Sequence, residues 1–181
     1  MSFVVPYEQR NIYSTIYQSI QINNIILEYT DENSIITDAT ACIGGNSYFF
    51  CKKFKFVNCV EINERLFDTL KNNIQEFKNK ILYNCSYNII KFLLKQDVVF
   101  IDPPWGGELY KTRKKIELYL DDINVFNIVD SLYNHTKIVA LKVPNNFNRT
   151  RITCDFWKHR IYSINKNRKS IYKLIIFYKP L

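Results

Sequence analysis

This sequence predicts an α/β fold: a mostly parallel central sheet with helices on both faces, closed by a C-terminal antiparallel hairpin. Three observations carry that expectation. Between about residues 34 and 143, short apolar runs alternate with stretches of helical character, the pattern of strand–helix–strand crossovers. Two of the runs end in an aspartate and lead into a loop with adjacent glycines, Asp38 before Gly44-Gly45 and Asp102 before Gly106-Gly107. The chain has no other glycine, and an acid at a strand tip before such a loop marks the ligand-binding edge of an open sheet. Finally, two β-rich runs near the C-terminus flank an Asn/Lys-rich turn, which predicts the hairpin.

Each element has its own warrant. From Glu8 to Tyr29, Ile12, Ile16, Ile20 and Ile26 or Leu27 recur at helical spacing, giving an N-terminal helical segment within about residues 1–33. The core, residues 34–181, begins with a short strand from Ser34 to Thr37 that enters Asp38. A helix from Asn46 to Phe54, a strand from Phe56 to Val60 ending at Glu61, and a helix from Glu64 to Phe77 follow. Next come a strand from Ile81 to Asn84, a helix from Ile89 to Lys95, and the buried strand Asp97 to Ile101. A polar loop leads to a helix from Ile123 to Tyr133 and a strand from Lys137 to Val143. The closing hairpin pairs His159 to Ile164 with Ile171 to Tyr178, with Asn165 to Lys169 as a solvated tip. No repeat and no Ser/Gly/Pro-rich linker divides the chain, so a single domain is expected.

Bulk properties narrow the function. A 181-residue chain buries roughly 70% of its unfolded surface. No run approaches the ~20 apolar residues of a membrane span, and no signal pattern opens the chain, so an intracellular protein, cytoplasmic or nuclear, is expected. Five cysteines (42, 51, 59, 85 and 154) form no CxxC pair, and there are only two histidines. Free thiols are expected, with neither disulfides nor a metal site. His135 and His159 lack partners at catalytic spacing and read as structural or surface residues. A net charge of +8 suits a polyanion such as RNA or DNA. An AT-rich genome, viral or protist, yields the same Lys, Asn, Ile and Tyr bias without selection for binding.

The chemistry gathers at the two glycine loops. Asp38 to Asn46 has the character of a nucleoside-binding turn without the full GxGxxG spacing, and Glu61, about 20 residues on, stands where an acid holds a ribose diol. With no Lys-Ser/Thr after its glycines, the loop is not a P-loop. In Asp102-Pro103-Pro104-Trp105, the prolines fix φ and donate nothing, so a carboxylate and carbonyls face outward from a rigid turn. Such acceptors can orient an exocyclic amine toward a methyl donor, for which placement alone is worth ~7–11 kcal/mol. Trp105 adds a stacking face worth about 1–3 kcal/mol for a base, and more for a cationic one.

Together, DATACIGGN and VFIDPPWGG resemble the trimethylguanosine synthase family of RNA cap guanine-N2 methyltransferases, Rossmann-like enzymes that use S-adenosylmethionine. The family patterns, approximately DxFCGxGGN and (S/D/N)PPWGGP, match at Asp38, Cys42, Gly44, Gly45 and Asn46, and at Asp102 through Gly107. Leu141 to Phe147, LKVPNNF, is similar to a third family segment, so the resemblance runs from about Ser34 to Lys179. It implies that Asp38, Ala39, Thr40, Gly44, Gly45, Asn46, Glu61 and Ile62 hold S-adenosylmethionine. Asp102, Pro103, Pro104 and Trp105 become catalytic, with Trp105, Gly106, Lys111, Arg113, Pro144 and Asn145 against the substrate.

Three departures stand out. Ile43 replaces a family glycine. Cys85-Ser86-Tyr87-Asn88 lacks the acid that contacts the cofactor's adenine, which nominates Ser86 or Asn88 instead. Of the family's SVTPE-like N-terminal segment only Tyr13-Ser14-Thr15 remains, which nominates Thr15 for the cofactor. The basic run Lys111 to Lys115, and Arg149 with Arg151, are candidates to grip RNA phosphates, and Tyr7 to cover the cap pocket.

The expected reaction is methylation of the exocyclic N2 amine of 7-methylguanosine on capped RNA. The chain would act without a metal, as a monomer or with an activating partner. An adenine-N6 methyltransferase of RNA or DNA and a catalytically inactive cap- or RNA-binding subunit are the alternatives.

Overall fold

The computed structural model describes residues 3–5, 15–152, 156–166 and 169–180, without the side chains of residues 108 and 151. Strands β1 (Ile35–Asp38), β2 (Phe56–Val60), β3 (Lys80–Tyr83), β4 (Val98–Ile101) and β7 (Ile138–Pro144) run parallel. Strands β8 (Lys158–Lys166) and β9 (Lys169–Tyr178) form an antiparallel hairpin, with β9 paired to β7. The sheet order is β3-β2-β1-β4-β7-β9-β8. The chain winds outward in opposite directions from β1 and β4, so their C-terminal ends flank the switch point where open sheets bind ligands. A separate two-stranded hairpin, β5 (Tyr119–Leu120) with β6 (Ile123–Asn124), projects between β4 and β7 in sequence.

Alternation along the central strands builds two cores. Val98, Phe100, Ile138, Ala140, Leu174 and Ile176 face α1 (Ile16–Leu27), α2 (Gly45–Lys53) and α3 (Glu64–Asn73). Val99, Ile101, Val139, Leu141, Ile175 and Phe177 face α4 (Tyr87–Ile90) and α5 (Val125–Ser131). Strands buried on both faces read as continuous apolar runs, as DVVFI and IVALKV do.

Several expectations need correcting. Residues 8–14 of the first expected helix lie outside the described residues, as do Tyr7, Tyr13, Ser14, Cys154, Asn167 and Arg168. The buried face of α1 is Gln18, Ser19, Ile22, Asn23 and Ile26, whereas Ile16 and Ile20 are exposed. Polar contacts set that face: Ser19 Oγ donates to Asn46 Oδ1 at 3.0 Å and Asn23 caps the Ser19 carbonyl at 2.9 Å. The helix expected from Ile89 to Lys95 is one turn, Tyr87–Ile90. Ser86 starts it by accepting from the Asn88 N–H, and Gln96 ends it by donating to the Lys91 carbonyl. The helix expected to run to Phe77 stops at Asn73, whose amide donates to the carbonyls of Ile43 and Val4. The polar loop contains the β5–β6 hairpin, whose turn residues Asp121 and Asp122 take positive φ without a glycine to announce it. Among the described residues no helix is long and apolar enough to cross a membrane.

Candidate active site

Three carboxylates stand at three neighbouring strand ends. Asp38 closes β1, almost wholly buried; its Oδ2 accepts from Ser47 Oγ at 2.6 Å and its Oδ1 from the Thr40 N–H at 3.4 Å. Burial pushes this carboxyl up to about 7, and the charges of Asp102 and Glu61 push the same way. Glu61 follows β2; one oxygen accepts from the Cys42 N–H and the other from the Asn63 N–H, both at 2.8 Å. Burial raises its carboxyl too, against the pull of those amides. The Cys42 thiol is pushed up to about 12, first by burial and then by Glu61, Asp102 and Asp38 together. One negative field therefore covers this edge. No cationic side chain lies within ion-pair distance of Asp38 or Glu61 among the described residues, so the field suits a positively charged ligand.

The loop over this edge shows what its glycines do. Gly44 sits at φ +92°, and a Cβ there would come within 2.9 Å of Leu70 Cδ1 and 3.3 Å of Ile74 Cγ2. The neighbour that a side chain at Gly44 would obstruct is α3. Gly106 and Gly107, at φ +90° and +67°, face open space, so backbone conformation alone demands glycine there.

Register carries the third carboxylate to an unforeseen partner. Ile101 pairs with Leu141 across the parallel β4–β7 ladder, so Asp102 and Lys142 continue the pairing one residue on, both toward the α1–α2 face. Lys142 Nζ lies 2.6 Å from Asp102 Oδ2, with its side chain only 4% exposed against 21% for Asp102. Burial raises the Asp102 carboxyl, and the Lys142 ammonium opposes that shift. The same ammonium stands 4.5 Å from the Tyr172 ring centroid and 5.4 Å from that of Trp105. Trp105 meets Tyr110 at 5.2 Å and Tyr172 at 6.0 Å, edge to face. Its indole N–H is buried without an acceptor among the described residues. The acceptor and stacking face read from the sequence as open are thus already engaged on one side by a lysine. The two edges are joined where the Asp102 N–H donates to Thr40 Oγ1 at 2.8 Å.

The sequence pattern of the family described as RNA cap guanine-N2 methyltransferase matches residues 33–178. The chain belongs to this family. It is 38% identical over 149 residues to an uncharacterised protein of Acanthamoeba polyphaga mimivirus, covering 78% of this chain and 56% of that one. The chain thus spans just over half the length of that relative. Its fold is that of a putative RNA methyltransferase from Pyrococcus horikoshii (TM-score 0.62, 18% identity, 100% of this chain and 94% of that one). It is also that of a putative methyltransferase from Streptococcus mutans solved in complex with SAH (TM-score 0.61, 14% identity, 90% and 98%). An rRNA methylase from Streptococcus thermophilus matches similarly (TM-score 0.62, 12% identity, 93% and 100%).

Within this chain the other nominated residues fall into two groups. Ala39 is buried and donates its N–H to the Phe100 carbonyl at 2.9 Å, tying β1 to β4. Gly45 opens α2, Asn46 accepts from Ser19, and Thr15 caps the helix that carries Ser19, its N–H bonded to Gln18 Oε1 at 2.9 Å. Ile62 is 60% exposed beside Glu61, an apolar face open to a base. Ser86 points to Asp121 of the β5–β6 turn. On the acceptor side Pro103 is buried and Pro104 exposed, and Lys111 and Arg113 are exposed along the 3-10 turn Gly107–Thr112 and just after it. Pro144 is buried opposite Tyr172 on β9. The Asn145 amide is bonded to Ser170, away from the Asp102–Trp105 turn; Asn146 instead clamps the 3-10 segment that follows it, donating to the carbonyls of Tyr110 (2.7 Å) and Arg113 (2.8 Å). Arg149 stays at the surface, as do His135 against Phe92 and His159 against Phe177.

Sequence reasoning passed over Lys142, Tyr172, Tyr110 and Asn146. Lys142 alone carried a signal, as the one charge in the apolar run IVALKV, where a buried lysine demands a partner.

Proposed function

We propose that this protein transfers a methyl group from S-adenosylmethionine to the exocyclic N2 amine of 7-methylguanosine at an RNA cap. The observation that carries the reading is the Asp102-Pro103-Pro104-Trp105 turn, fixed by Thr40 directly beside the Asp38–Glu61 edge.

The residues present fit the cofactor. A sulfonium and an α-ammonium would relieve the Asp38 and Glu61 carboxylates, which no side-chain cation balances among the described residues, Glu61 would take the ribose, and Ile62 would offer the base an apolar face. When bound there, the cofactor supplies a methyl group made electrophilic by its sulfonium. The chain supplies placement. The Asp102 carboxylate and the Pro103 carbonyl accept the amine's hydrogens and so aim its lone pair at the cofactor edge. Lys142 opposes the burial that favours the neutral acid at Asp102, and the ionised carboxylate can also take up the proton the nitrogen sheds. Trp105, held edge-on by Tyr110 and Tyr172, stacks its remaining face on the guanine ring. N7 methylation makes that ring cationic, which strengthens stacking by about 0.5–2 kcal/mol. Lys111 and Arg113 lie on the rim for cap phosphates.

Mass spectrometry of a 7-methylguanosine cap analogue incubated with the protein and S-adenosylmethionine tests the reading. A gain of one or two methyls on that analogue, absent from an unmethylated cap and lost in Asp102→Ala, is the expected result. Methylation of an adenine-containing oligonucleotide instead would replace it with the N6 reading, and turnover of none of them would reject it for the chain alone.

A further inference from the structure

We propose that Asp121, from the turn of the β5–β6 hairpin, holds the exocyclic amine of the cofactor's adenine and so selects an adenine nucleoside. The inference rests on the cofactor part of the function proposed above. It begins from Glu61: with a ribose on that carboxylate, the base would lie to one side or the other of the β2 end. Toward β1 the space is taken by the Cys42 N–H, the buried Asp38 and Ser47. Toward β3 it is open. Ile62 lies 60% exposed there, and Asn84 Nδ2 donates to the Glu61 carbonyl at 2.8 Å, fastening the β3 end against the β2 end.

The chain between β3 and α4 brings no acid of its own to this place. The hairpin brings one. Asp121 Oδ2 is bonded to Ser86 Oγ and lies 3.3 Å from Asn88 Nδ2, while Asn88 also donates to the Leu120 carbonyl at 3.0 Å. Three contacts to the same short segment fix the carboxylate at the end of β3. The two that reach the carboxylate itself use Oδ2; Oδ1 has no partner among the described residues and remains an acceptor. A purine's 6-amino group is a donor that such an acceptor reads, and the stacking surface that orients it is Ile62. The turn holding Asp121 has positive φ at two consecutive aspartates, 50° and 62°, a conformation a hairpin meets at least cost with Asn or Gly.

The test is calorimetric binding of S-adenosylhomocysteine and its 6-deamino purine analogue to the full chain and to Asp121→Gly, which tolerates the turn's φ. The unaltered protein is expected to prefer the adenine compound by at least about 10-fold, as for a hydrogen bond to a charged group, and the variant by less than about 3-fold. The ratio of the two affinities does not depend on how much of the variant is folded. If the variant keeps the parental ratio, or the parent shows none, Asp121 only anchors the hairpin and the proposal is overturned. If the parent binds neither compound, the cofactor reading falls first and takes this one with it.

Discussion

The two edges that flank the switch point hold their carboxylates in opposite ways. At the β1–β2 edge, Asp38 and Glu61 are held by backbone amides and one hydroxyl, with no cation in the described chain to balance them. At the β4–β7 edge, Asp102 is balanced by a buried lysine 2.6 Å away, itself set against Trp105 and Tyr172. The first edge keeps an unpaid negative charge that a cationic ligand relieves. The second is complete without a ligand, so a substrate amine there competes with, or leans on, an existing ion pair. An arrangement that waits for its cation and one that brings its own should fail differently when cut.

The largest difference is expected from single carboxylate removals. Asp102→Ala should lower methyl transfer on the order of 10²–10³-fold while leaving cofactor affinity within a few-fold. It also strands a buried ammonium, at a cost of about 3–5 kcal/mol, which thermal melting reads. Adding Lys142→Met should recover the melting temperature but not the activity. Asp38→Asn should do the reverse, weakening cofactor binding at least about 10-fold while the free protein melts no lower. Equal thermal losses for Asp102→Ala and Asp38→Asn would erase the distinction between the edges.

The glycines sharpen it next. Gly44→Ala forces a Cβ against Leu70 and Ile74 at positive φ, so a loss of about 1–3 kcal/mol is expected, or roughly 2–10 °C in Tm for a chain this size. Gly106→Ala meets nothing within 4 Å and bears only the backbone strain, so it should melt higher than Gly44→Ala. The reverse order would mean that the β1 loop, not the turn at Gly106, is the one that adjusts.

What could be read from the sequence follows the same division. Asp38, the glycine turn and Glu61 lie within about 25 residues and one strand–helix–strand unit, so spacing alone placed them. The Asp102–Lys142 pair joins residues 40 apart, and only the β4–β7 register brings them together. The α1 stripe misled for a related reason. Apolar spacing cannot reveal that Ser19 and Asn23 face inward to bond Asn46 and the helix itself, leaving Ile16 and Ile20 outside. The β5–β6 hairpin was invisible because its turn is Asp-Asp, not Asn-Gly. Strands buried on both faces needed no such help, because continuous apolar runs such as DVVFI and IVALKV mark them directly.

The smallest effect is a pH dependence confined to the unbalanced edge. Asp38 in the folded protein has its carboxyl raised from 3.8 to about 7, chiefly by burial. The folded state therefore holds a proton that the unfolded chain has released, so stability falls as pH rises from about 4 to 7 and is level above that. A cationic ligand favours the ionised carboxylate and expels that proton. S-adenosylmethionine should bind about three- to ten-fold more tightly at pH 8 than at pH 6, with proton release seen as a buffer-dependent heat. The ligand's own amino group titrates nearby, but equally for every variant, so Asp38→Asn serves as the reference and should lose the difference. Asp102→Ala with Lys142→Met should keep most of it, because the ion pair it removes is close to neutral as a unit. A pH profile that survives Asp38→Asn would place the titrating group elsewhere, and would leave Glu61 as the acid that senses the ligand's charge.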